Sequence, residues 1–146
     1  MTGAPVFLFL LLAAFAAGIP LALVGRGRAR WRPTAVAATL TLPLLFLALF
    51  ASLAVHMHRS LGGWPERIGD DGFPSALLLH DDLAGYAFSA LILGGMFAWP
   101  LAVVLCAAIP RMRPGLRYLG LYSLATGAAL LVMQLAPGPF LNWWWD

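Results

Sequence analysis

The sequence predicts an all-α integral membrane protein, a four-helix bundle forming one domain over residues 1–146, with both termini outside. Three observations predict it. First, 62% of the residues are hydrophobic and only 10% are charged, with a mean hydropathy of +0.86. A soluble domain carries about 25% charged residues, so a disordered chain is excluded and a water-soluble fold is not expected. Second, four long apolar stretches contain no Asp, Glu, Lys or Arg. Third, the charges between those stretches are sorted by loop.

The apolar stretches cover residues 5–24, 34–55, 83–109 and 118–136. As helices of about 19–27 residues they reach about 28–40 Å, enough for a hydrocarbon core of about 30 Å. They do not alternate in polarity as barrel strands do. The first is expected to be a retained span, because residues 1–6 hold no basic residue and the Arg cluster follows the stretch instead of preceding it. Residues 25–33 then form a short Arg-rich turn, 56–82 an external loop, 110–117 a second Arg-rich turn, and 137–146 an external tail.

All nine basic residues are Arg. Seven of them, Arg26, Arg28, Arg30, Arg32, Arg111, Arg113 and Arg117, lie in the two turns that contain no acid. The acids Glu66, Asp70, Asp71, Asp81, Asp82 and Asp146 lie in the other connections, with Arg59 and Arg67. Short cytoplasmic loops are enriched in Lys and Arg, so the Arg turns are expected in the cytoplasm. The formal charge of +3 therefore marks topology, and a nucleic-acid partner is not expected. The same Arg residues attract anionic lipid headgroups.

Within lipid, small residues reveal helix contacts better than hydrophobic ones do. At 100° per residue, Gly120, Ser123, Gly127 and Gln134 share one face of the fourth span. Ala87, Ala90, Gly94 and Ala98 share one on the third, and Ala37, Thr41, Ala48 and Ser52 one on the second. Pro20, Pro43 and Pro100 interrupt the first three spans, and each removes a backbone donor. Trp31 and Tyr118 are expected at the cytoplasmic interface. Trp64, Phe140, Trp143, Trp144 and Trp145 are expected at the external one. Three successive Trp cannot share one helix face; the tail is read as an interfacial anchor, with a plug over the external mouth or a docking peptide for a partner as the alternatives. The single cysteine, Cys106, is expected to be a packing residue.

The candidate site is the external set His56, His58, His80, Asp81 and Asp82. Imidazole and carboxylate together are ligands for Zn or another divalent ion, and paired imidazoles from two helices suit a haem. HxH and HDD lack the spacing of a known metal motif, so an ordinary polar rim competes with both. Ser75 is a candidate N-cap for a helix reaching back to His80. Trp64, Ile68, Phe73, Leu77, Leu78 and Leu79 make the loop apolar enough to fold onto the bundle or the membrane surface.

No nucleophile elbow, phosphate loop or zinc-protease motif is present, and no acid lies inside a span, as coupled transport needs. The expected function is a structural or accessory subunit without catalysis and without a resident cofactor. Its partners would be the lipid bilayer and other membrane subunits or copies of itself. A metal- or haem-binding protein is the second reading. A small pore or carrier lined near Thr39, Pro43 and Gln134 is the third. Arg without Lys and Ala/Leu-rich spans resemble proteins of high-GC bacteria, which implies a bacterial cytoplasmic membrane.

Overall fold

The computed structural model describes residues 3–24, 31–65 and 72–145. The described chain is helical, with no strand among the described residues. Helix α1 covers Gly3–Val24 and α2 covers Pro33–Leu61. Helix α3, Ser75–Leu93, continues through one π turn, Gly94–Ala98, into α4, Trp99–Ala108. A 3-10 turn, Pro110–Gly115, leads to α5, Leu116–Met133, and α6 covers Gly138–Trp145. Three stretches, Pro33–Leu61, Ser75–Ala108 and Pro110–Met133, are long and apolar enough to cross a membrane; α1 holds a shorter apolar stretch, Leu11–Leu23.

Local chemistry sets the boundaries. Helix α2 starts at Pro33, where a missing N–H costs nothing, and stops at Gly62 in the left-handed conformation, φ 68°. Ile109, extended because it precedes Pro110, ends α4. Pro100 takes away a donor, and the backbone widens just ahead of it: the Trp99 N–H bonds to the Gly94 carbonyl, five residues back. The hydroxyls of Thr39 and Thr41 donate to the carbonyls of Ala35 and Ala37, so neither is left unsatisfied in an apolar setting.

Helix α5 is central and touches α1, α2 and α4, while α2 also packs on α3. The α1–α5 pair is antiparallel, with Gly18 facing Ser123 and Leu124, and Gly120 facing Ala22. The expected face of Gly120, Ser123 and Gly127 is therefore a contact face, and α1 occupies it. The core face of α2 is Phe46, Phe50, Leu53 and Met57. Its strip of Ala37, Thr41, Ala48 and Ser52 points outward, all four exposed. On α3, Ala84, Ala87 and Leu91 are buried, whereas Ala90 and Ala98 are exposed.

The helix pairings put Arg32, Arg111, Arg113 and Arg117 at one end of the molecule. His56, His58, Arg59, His80, Asp81 and Asp82 lie at the other. Arg26, Arg28, Arg30, Glu66, Arg67, Ile68, Asp70, Asp71 and Asp146 lie outside the described residues.

Candidate functional site

Both helices that carry the histidines run past the ends of the apolar stretches. Helix α2 continues through His56 and His58 to Leu61, and α3 begins at Ser75. Both ends of the expected loop 56–82, residues 56–61 and 75–82, are therefore helix. Ser75 is the first helical residue and makes no capping bond; the Pro74 carbonyl accepts instead from the N–H groups of Leu77 and Leu78.

Two of the three histidines meet. His56 Nδ1 and His80 Nδ1 are 3.0 Å apart, and His80 Nε2 lies 3.0 Å from Ser52 Oγ. Ser52 Oγ also donates to the Leu49 carbonyl at 3.0 Å. A serine has one proton, so His80 Nε2–H must donate to Ser52. His80 Nδ1 then has only a lone pair, and His56 Nδ1–H donates to it. The network assigns both tautomers: a chain of donors from His56 through His80 and Ser52 to the Leu49 carbonyl.

His58 takes no part. Two residues along a helix turn the side chain by about 200°, and its ring packs on Trp64 at 4.5 Å. Asp81 and Asp82 follow His80 on α3, and Asp82 is exposed. Among the described residues, no three His, Cys, Asp or Glu side chains gather at one point. Gln134 ends α5, its Nε2 buried without a hydrogen-bond partner.

An aromatic cluster packs helix α6 against α2 and α3. Phe140 is fully buried, 5.1 Å from the Phe50 ring and 6.1 Å from Trp64. The three tail Trp diverge as their spacing requires. Trp143 meets Phe73 at 5.9 Å, Trp144 meets Phe50 at 5.1 Å, and Trp145 meets Phe88 at 5.8 Å. Trp64 and Phe73 thereby pack against α6.

A second feature lies deeper. A cavity of about 180 Å³ opens between α1, the π turn and α5. Ala13, Gly95, Met96 and Trp99 form its apolar wall; Tyr122, Ser123 and Thr126 bring hydroxyls to the other side. Thr126 Oγ1 is buried beside the Tyr122 hydroxyl. Composition did not reveal this space, which lies beside the π turn and is lined by its Gly95 and Met96. Neither Thr39, Pro43 nor Gln134 lines it. Compared against family models, curated proteins and solved structures, the chain matches none.

Proposed function

We propose that this chain is a four-span protein of a bacterial cytoplasmic membrane, with both termini outside. It serves there as a structural or accessory subunit and catalyses no reaction itself. The surface supports the membrane part: Tyr86 is 71% exposed, Phe97 66% and Leu135 83%. Such a shell is unfavourable in water and neutral in hydrocarbon. The opposite placement of Arg and of His/Asp supports the orientation.

The observation that carries the accessory role is the outward strip of α2. On α5 the equivalent small residues are covered by α1, at backbone contact. On α2, Ala37, Thr41, Ala48 and Ser52 stay uncovered, and Ser52 adds an exposed polar bond to His80. Small and polar positions at one helix face favour a further helix over lipid. A photo-crosslinker at Ala48 is expected to yield a defined product, with a second copy or another subunit, in intact membranes. The same group at Val104, exposed on α4, is expected to yield none. Equal yields at the two positions would refute the accessory role.

The cavity favours a second reading, a carrier of small apolar molecules. Its volume is close to one that holds a single aromatic ring, and Thr126 offers that ring a hydroxyl partner. A brominated phenol is expected to quench Trp99, and Gly95→Leu to abolish the quench. A quench that survives the substitution sinks this reading.

A further inference from the structure

The end of the molecule opposite the histidines holds a site of different chemistry. Trp31 and Arg32 lead into α2, the 3-10 turn carries Arg111, and α5 opens with Arg117 and Tyr118. These five side chains line an open cavity of about 1000 Å³. No Asp or Glu occurs anywhere in residues 1–65 or 83–145.

Arg117 is only 4% exposed. Its guanidinium carbon lies 4.9 Å from the centre of the Trp31 ring and 4.8 Å from that of Tyr118. The two rings meet edge to face at 5.3 Å. Aromatic rings beside a guanidinium let it shed water while remaining a cation. The Tyr118 hydroxyl accepts from the Arg32 backbone N–H and from Arg117 Nη2, each at 3.0 Å. Both lone pairs are then engaged, and the phenol proton is left to donate. Arg113 is turned away to the Ala107 carbonyl.

Three guanidiniums and one committed phenol donor, with no carboxylate nearby in sequence, complement an oxyanion. Arginine matches phosphate in particular, through paired parallel N–H donors. We propose that this cavity binds the phosphodiester of an anionic phospholipid headgroup. Two observations favour a lipid over a soluble phosphate. The cavity sits where the apolar helices end and Trp31 and Tyr118 mark the headgroup level. Ile109 and Met112 beside it are exposed apolar side chains, a surface for acyl chains. The inference rests on the membrane reading above.

The test uses the full chain in detergent micelles, with retained lipid weighed by native mass spectrometry. Phosphatidylglycerol, phosphatidylcholine and soluble glycerol phosphate are the three probes. One phosphatidylglycerol per chain is expected to survive activation that strips phosphatidylcholine. Arg111→Ala and Tyr118→Phe are each expected to weaken retention about tenfold, one charge-assisted hydrogen bond apiece. Arg117→Gln is expected to weaken it further. Arg111 is exposed, so its variant keeps the fold and an unchanged melting temperature. Equal retention of the two lipids, or variants that retain like the parent, overturns the proposal. Displacement by millimolar glycerol phosphate overturns the lipid as occupant. A chain that fractionates with soluble proteins defeats the membrane reading; a membrane-embedded chain without lipid preference defeats this site alone.

Discussion

Gly120→Val is expected to destabilise the protein by about 3 kcal/mol or more, at the upper end of what overpacking costs. A Cβ at this position would lie 2.9 Å from the Gly18 carbonyl oxygen and from Ala22 Cα, and would collide with the Ala22 backbone nitrogen. Its neighbours are backbone, so no rotamer change relieves the clash. The same contact works in reverse, since a Cβ at Gly18 would meet Ser123 and Leu124 at 3.0 Å. The α1–α5 interface is thus a mutual notch, and valine must push the two helices apart. A large fall in melting temperature in detergent is the readout. Gly85→Ala is the control: nothing lies within 4 Å of its added Cβ, and alanine favours a helix by up to about 1 kcal/mol over glycine. A Gly120→Val protein that melts like the parent removes the notch from the account.

Phe140→Ala is expected to release α6 from α2 and α3. The side chain is fully buried against Phe50, Trp64 and Trp143. Emptying such a site costs about 3–5 kcal/mol, more than a helix of eight residues can hold by itself. The loss should appear as local undocking, with the remaining bundle intact. Four of the six Trp, Trp64 and Trp143 to Trp145, belong to this cluster, so fluorescence reports it directly. A red shift with unchanged helical content is expected. An unshifted spectrum would mean that α6 is held by something other than Phe140.

How far the sequence could be read differs helix by helix. The α5 face of Gly120, Ser123 and Gly127 was legible because small residues are the one signal of close approach in lipid. The equivalent strips on α2 and α3 misled in part. Both faces of a membrane helix are apolar, so hydrophobicity does not distinguish inside from outside. On α2 the large residues Phe46, Phe50 and Met57 fill the interior, and the small ones face out. On α3 the strip fails at Ala90, ahead of the π turn, because the inward face runs through Ala84, Ala87 and Leu91; Ala98, at the end of the π turn, is exposed as well. The candidate site suffered from a different confusion, between an apolar stretch and a helix. His56 and His58 lie beyond the uncharged apolar stretch that ends at Val55 yet still within α2, whose stop is written in Gly62. Once they are helical, a two-residue spacing separates them, and only His56 can face His80. The aromatic cluster depended on contacts between distant segments, Phe50 with Phe140 and Phe73 with Trp143, which no local pattern encodes.

The pairing of α1 with α5 also dictates a timetable for assembly. Roughly ninety residues separate the end of α1 from the start of α5, about 5–20 s of synthesis at ordinary ribosomal speed. For that interval the earlier helix has no mate. Its sequence, Gly3–Val24, carries no side chain able to form a hydrogen bond, so in the membrane placement proposed above it can wait alone in the bilayer without attracting a chance companion. The late helix brings the groove, and the first-inserted one is already there to fill it.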